Sequence, residues 1–106
     1  MRIEAQCPCG APVLDKSDNL PHKAYYIPDQ AWEGVIEKLE KAIEAVAMGN
    51  HGTEEGKDLV HQALCEGSRH MYQCRRCGRI FVADSKGQLH AYTASAQDTE
   101  REILRA

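Results

Sequence analysis

The stretch that decides the fold runs from Cys74 to Ala83 and reads Cys-Arg-Arg-Cys-Gly-Arg-Ile-Phe-Val-Ala. A second close cysteine pair stands near the start of the chain, in Cys7-Pro8-Cys9-Gly10. Proline and glycine favour turns, whereas the β-branched and aromatic residues after the second pair favour a strand. Glycine lets the backbone curl around a metal and turn N–H groups toward sulfur. Two facing turns of this kind can supply the four thiolates of a tetrahedral Zn²⁺ site, each at about 2.3 Å.

These residues resemble the knuckles of zinc-ribbon proteins. The segment Cys74 to Gly78 and the strand that follows are similar to the second knuckle and hairpin of that family. The first knuckle is Cys-x-Cys-Gly, where the family pattern is Cys-x-x-Cys-Gly, and the long interval between the pairs implies an insertion. The resemblance implies a structural zinc ion without an open coordination position. Its four ligands would be Cys7, Cys9, Cys74 and Cys77.

Three other uses of the same cysteines stay open. A disulfide is disfavoured in the cytosol, and a bridge between residues two apart is strained. A redox Cys-x-x-Cys normally lies at a helix N-terminus, whereas this pair leads into a strand. Iron in a thiolate cage uses similar sulfurs. Zinc is the favoured interpretation.

Between the two pairs, the sequence predicts a helical hairpin at about residues 29–66. Asp29 is suited to cap a first helix, in which apolar residues recur every three or four positions and which Gly49 ends. Thr53 is suited to cap a second helix that runs to about Glu66. The pattern predicts that four residues of this helix face inward: Leu59, Val60, Ala63 and Leu64.

Strand patterns flank the insertion. Short extended pieces are predicted from Arg2 to Gln6, through Val13 and Leu14, and at Lys23 to Ile27. After the hairpin, Met71 to Gln73 leads into a β-hairpin that turns at Asp84-Ser85-Lys86-Gly87. We therefore expect one α+β domain over residues 1–106: a small antiparallel zinc-ribbon-like sheet with the helical hairpin packed on one face. Residues 95–106 form a tail in which Asp98 could begin a short helix, and only Ile103 and Leu104 could anchor it against fraying.

Composition excludes some classes of protein. The formal net charge is −3, against the basic footprint usual for nucleic-acid binding. Residues 1–56 carry five Lys and Arg against ten Asp and Glu, and residues 57–106 carry eight against six. The apolar stretch from Ile80 to Ala83, which no other exceeds in length, is too short to span a membrane, and no leader pattern precedes the first cysteine. We expect a cytoplasmic protein.

Two further clusters have alternative interpretations. Cys65 lies four residues after His61 and could be a nucleophile, but a lone helical cysteine is more often a small apolar residue. Arg75, Arg76 and Arg79 surround the second knuckle and could contact phosphates. Four thiolates on one Zn²⁺ carry a net charge near −2, however, and these cations would offset it.

The sequence thus favours a non-catalytic, zinc-stabilised protein that recognises another protein. The acidic helix face and the loop at Tyr25 and Tyr26 suit a basic partner, such as a toxin or nuclease blocked by an inhibitor or immunity-type protein. The alternative is a nucleic-acid-binding zinc-ribbon regulator that acts through Arg75, Arg76 and Arg79. No catalytic motif is present, so we do not expect an enzyme.

Overall fold

The computed structural model describes residues 3–96 and 100–106 and contains two helices and two antiparallel sheets, of two and four strands. The predicted α+β class and the helical hairpin are therefore confirmed. In chain order the elements are β1 (Ile3–Gln6), β2 (Pro12–Leu14), β3 (Lys23–Tyr26), α1 (Asp29–Ala47), α2 (Thr53–Gly67), β4 (Arg69–Gln73), β5 (Ile80–Ala83) and β6 (Leu89–Tyr92).

Contacts divide the chain into two compact units. The sheet unit comprises residues 1–26 and 69–106, and the hairpin unit comprises residues 27–68. That the hairpin packs on a sheet face within one domain stays a prediction.

The sheet unit is built from two strand systems. β1 pairs with β2, and the larger sheet has the order β3-β4-β5-β6 with every pair antiparallel. β3 therefore joins the edge of the predicted three-stranded arrangement, with Lys23 opposite Tyr72 and Tyr72 opposite Phe81. The buried core of this unit comprises Cys7, Val13, Tyr72, Cys74 and Phe81. Two of its five members are cysteines, so the core and the candidate metal site coincide.

The helix ends differ slightly from the predictions. Asp29 and Thr53 were expected to cap the helices, but each is the first helical residue and the capping positions are Pro28 and Gly52. The acidic Asp29 still lies in the first turn, where the helix dipole favours negative charge. Gly49 has φ +78°, which explains why the first helix ends there. In the part of the chain that the structure describes, neither helix combines the length and the apolar character that crossing a membrane requires.

The two helices approach each other closely at glycines. A Cβ atom added to Gly56 would lie 2.3 Å from Val46 Cγ2, and one added to Gly67 would lie 2.2 Å from Val35 Cγ2. The prediction that Leu59 and Leu64 face inward is wrong, because both are exposed. Within residues 3–96 and 100–106, each helix has one partner helix, so the face that this partner covers is narrower than the apolar stripe. Small residues occupy most of that face: Ala42, Gly56 and Ala63 are buried.

Backbone atoms of the tail contact Gln73, the residue immediately before the second knuckle. Gln73, which is buried, donates from Nε2 to the carbonyl oxygen of Glu100 at 3.0 Å. The N–H of Ile103 donates to Gln73 Oε1 at 2.9 Å. A buried amide, rather than the apolar side chains of the tail, thus supplies these contacts. Fraying stays a prediction, and Asp98 lies outside the described residues.

Candidate metal centre

The four cysteines of the two predicted knuckles come together in the sheet unit. Their sulfur atoms all lie within 4.8 Å of one another. Cys7 Sγ lies 3.5 Å from Cys77 Sγ, and Cys9 Sγ lies 3.6 Å from Cys74 Sγ. Each of these distances joins a sulfur of the first knuckle to a sulfur of the second. The cluster therefore connects two distant parts of the chain and is compatible with a zinc-ribbon-like site.

Matching turns place the sulfurs. In the first knuckle, the N–H of Gly10 donates to the Cys7 carbonyl oxygen at 2.9 Å. In the second, the N–H of Gly78 donates to the Cys74 carbonyl oxygen at 2.8 Å. Both glycines have positive φ, +99° and +83°, which side chains other than glycine rarely adopt. The Cys-x-Cys spacing of the first knuckle thus shortens its turn by one residue and keeps the closing hydrogen bond.

The donor set fits a tetrahedral metal ion. A metal–sulfur distance of about 2.3 Å gives a sulfur–sulfur separation of about 3.8 Å in a regular tetrahedron. The two short separations, 3.5 and 3.6 Å, are close to this value. They are far longer than a disulfide bond of about 2.05 Å, and all four cysteines are free thiols. These residues could hold an ion of the zinc type as a closed set of four protein ligands, and iron accepts the same donors.

Arg79 sets the electrostatics on one side of the cluster. Its guanidinium Nη1 donates to Cys7 Sγ at 3.2 Å and lies 3.9 Å from Cys77 Sγ. Burial opposes ionisation of the Cys7 thiol, but hydrogen bonds from the Cys9 backbone and from Arg79 outweigh it. The pKa of Cys7 is therefore lowered from 9.0 to about 6. This contact supports the interpretation in which Arg79 offsets sulfur charge.

The pKa of Cys77 is shifted in the opposite direction. Burial of its thiol raises the pKa of Cys77 to about 11, although the residue as a whole is exposed. Hydrogen bonding to the neighbouring sulfurs acts in the same direction, and the backbone N–H of Arg79 acts against it. The two pKa shifts have opposite signs, so the Cys7 thiol ionises more readily than the Cys77 thiol. A divalent cation would supply the positive charge that further thiolates need.

The other candidates from the sequence are not among the four sulfur donors that the described residues bring together. Cys65 and His61 are exposed residues of the hairpin unit. Arg75 Nη2 lies 3.6 Å from Glu102 Oε1, so a carboxylate of the tail partly neutralises one of the three arginines. Of the basic cluster, only Arg79 donates to the sulfurs in the described contacts.

A buried polar cluster was missed by the sequence analysis. Tyr72, which is fully buried, donates to Asp15 Oδ2 at 2.7 Å, and Lys23 Nζ lies 2.9 Å from the same oxygen. His70 Nδ1 lies 3.2 Å from the Tyr72 hydroxyl oxygen. The available signal was the tyrosine two residues before Cys74, because a buried hydroxyl usually has a partner.

Fold and site together define an α+β protein with a four-cysteine centre and an inserted helical hairpin. Residues 3–99 match the family described as Domain of unknown function (DUF8617), and the chain belongs to that family. No curated protein and no solved structure matches the chain.

Proposed function

We propose that the chain is a non-catalytic binding protein whose sheet unit is stabilised by one zinc ion and whose acidic surface recognises another protein. The convergence of four thiol sulfurs within 4.8 Å carries this proposal. Four thiolates are a donor set typical of structural zinc, and they leave no coordination position for a reacting water. The ion would hold the two turns together, and its role would be structural.

The more specific part of the proposal is that the recognised protein is basic. The hairpin unit carries nine Asp and Glu against three Lys, a formal charge of −6. The sheet unit carries ten Lys and Arg against seven Asp and Glu. Surface charge of one sign accelerates association with a partner of the opposite sign and disfavours other partners. An inhibitor or immunity-type protein that blocks a basic toxin or nuclease would have this property.

Nucleic-acid binding through the arginine cluster is the weaker alternative. Arg79 donates to sulfur and Arg75 faces Glu102, so two of the three arginines have partners within the chain. Phosphate recognition would have to break or share these contacts.

The metal part is tested by elemental analysis and native mass spectrometry of the purified protein. We expect one zinc ion per chain, lost in Cys74→Ser and retained in Cys65→Ser, which alters the exposed cysteine of α2. The proposal of a structural zinc ion would be contradicted by a metal-free protein with native spectra or by an equimolar iron content.

The recognition part is tested by crosslinking the tagged chain in its source cell, followed by identification of equimolar partners. A basic protein whose interaction is rebuilt from purified components supports the proposal. Recovery of nucleic acid alone, with binding that salt weakens steeply and that the Arg75→Ala/Arg76→Ala variant abolishes, would overturn it in favour of the regulator.

A further inference from the structure

The hairpin unit carries an apolar groove between its two helices. The groove has a volume of about 430 Å³, and its walls are formed by Ile43 and Val46 of α1 and by Val60 and Leu64 of α2. Gly56 lies in its floor, where the helices approach each other. All of these residues belong to one unit, so the groove is a property of the hairpin itself.

Large apolar side chains on this side of the hairpin are exposed to solvent. The exposed fractions are 65% for Ile43, 41% for Leu64 and 50% for Trp32. Trp32 precedes Ile43 by eleven residues, which is about three helical turns, so both lie on the same stripe of α1. The described residues leave this stripe exposed, and an exposed apolar stripe of this size is typical of a docking surface.

Glutamates flank the groove on the surface of α1, outside the residues that line it. Glu40 lies three residues before Ile43, and therefore next to it on the helix surface, and Glu44 follows Glu40 by one turn. Both glutamates are exposed. On the α2 side, the positive charge of Lys57 is partly offset by Glu54, whose Oε1 lies 3.4 Å from Lys57 Nζ. His61 is the other basic residue of that wall.

We propose that this groove binds a basic amphipathic α-helix of another protein. The apolar stripe of that helix would cover Ile43, Val46 and Leu64, and its Lys or Arg side chains would lie along Glu40 and Glu44. A third helix is the element that fits between two antiparallel helices, because side-chain ridges of one helix pack into grooves of the others. The stretch from Trp32 to Val46 is about 21 Å long, which corresponds to a partner helix of about 14 residues.

Charge favours this occupant over a second copy of the chain. Two hairpin units, each with a formal charge of −6, would repel each other, whereas a cationic helix is attracted. The inference rests on the proposed function for the claim that the chain recognises a protein. It adds the surface and the chemistry of the partner.

Trp32 is the sole tryptophan, so its fluorescence can report binding to the zinc-loaded full chain. The probe is a tryptophan-free helical peptide of 14 residues with a leucine stripe and lysines elsewhere. The matched control is a peptide in which glutamate replaces every lysine. We expect the lysine peptide to shift the Trp32 emission to shorter wavelength and to bind at least tenfold more tightly than the glutamate peptide.

Variants separate specific docking from general charge attraction. We expect Ile43→Ser to weaken binding at least tenfold, and Leu59→Ser, on the other side of the hairpin, to change it less than twofold. Glu40→Lys should weaken binding several-fold more than Asp58→Lys, which makes the same charge change on α2 away from the groove. Because the altered residues are exposed, the helical circular dichroism should be unchanged in every variant.

Three outcomes would overturn the inference. The first is equal binding of the two peptides, and the second is equal loss of binding in Glu40→Lys and Asp58→Lys. The third is a dimer in light scattering that Ile43→Ser dissociates, which would make a second copy the occupant. None of these outcomes alters the zinc content or the partner found by crosslinking, so failure of the inference is distinguishable from failure of the proposed function.

Discussion

The sheet unit and the hairpin unit are stabilised by different kinds of contact. The sheet unit is assembled from two chain segments, 1–26 and 69–106, and its core contains two of the four clustered cysteines. The hairpin unit is one continuous segment whose helices meet through glycine and small side chains. Contacts between distant segments cost more chain entropy than local contacts do. The candidate metal site, which could cross-link distant segments, therefore lies in the unit that is discontinuous in sequence.

Metal removal should have the largest effect, and it should act on the sheet unit. Structural zinc contributes about 10 to 16 kcal/mol of apparent binding free energy in small peptides, as much as the whole stability of a typical domain. We expect chelator, or Cys74→Ser, to abolish hydrogen-exchange protection of the β4 and β5 amides, measured by NMR.

Cys65→Ser is the matched control, because Cys65 is exposed and lies in the hairpin unit. It should leave the protection pattern unchanged. If β4 and β5 stay protected in chelator, the cysteine cluster is not what holds the two segments together.

The next largest effect is expected at the buried ion pair of the sheet unit. Lys23 and Asp15 side chains are only 12% and 14% exposed, and Asp15 also accepts the Tyr72 hydroxyl. Asp15→Asn removes the charge and should lower the free energy of unfolding by about 1 to 3 kcal/mol, measured by urea denaturation. Asp18→Asn, at an exposed position of the same loop, should have no measurable effect.

The pH dependence follows from the pKa of Asp15. The hydrogen bond from Lys23 lowers this pKa most, the Tyr72 hydroxyl adds to the shift, and burial opposes it. A carboxyl group with a lowered folded-state pKa stabilises the protein above its unfolded pKa, about 3.9, and loses that effect as the pH falls through the folded value. The destabilisation caused by Asp15→Asn should therefore be present at neutral pH and should shrink as the pH falls through the folded-state pKa of Asp15. A destabilisation that persists below this pKa would mean that the Asp15 charge is not its source.

The sequence predicted local features of both units well, for physical reasons. The helices repeat apolar residues every three or four positions, and the knuckles contain glycines that are needed at positive φ, as at Gly10 and Gly78. These signals depend only on neighbouring residues. The convergence of the cysteines was predictable because two close pairs of cysteines, each followed by glycine, form a donor set typical of structural zinc.

Non-local contacts were predicted less well. Asp15 and Tyr72 are 57 residues apart, and nothing in their local sequence indicates that they meet. Leu59 and Leu64 fit the apolar period of α2, but periodicity does not reveal how many partners a helix has. The same limitation explains why the groove beside Ile43 became visible only in the structure.

A smaller effect should distinguish the glycines of the hairpin unit. An added Cβ at Gly56 would lie 2.3 Å from Val46 Cγ2, whereas one at Gly34 would have nothing within 4 Å. Overpacking costs about 1 to 3 kcal/mol, while replacing a helical glycine by alanine gains about 1 kcal/mol. Gly56→Ala should therefore lower the free energy of unfolding and Gly34→Ala should raise it, as measured by thermal denaturation. If both substitutions raised the free energy of unfolding, the helices would be able to move apart at Gly56 without an energetic cost.

The smallest effect is expected at an ion pair of the hairpin unit that has the same chemistry as the pair between Lys23 and Asp15. Lys38 Nζ lies 3.4 Å from Glu66 Oε2, and these side chains are 60% and 52% exposed. Water screens such a pair, and ordering two long side chains offsets the attraction. We expect urea denaturation of Glu66→Gln to give the wild-type free energy of unfolding within error, at low and at high salt. A loss comparable to that of Asp15→Asn would mean that burial does not explain the difference between the two pairs, and the contrast between the units would then rest on the metal centre alone.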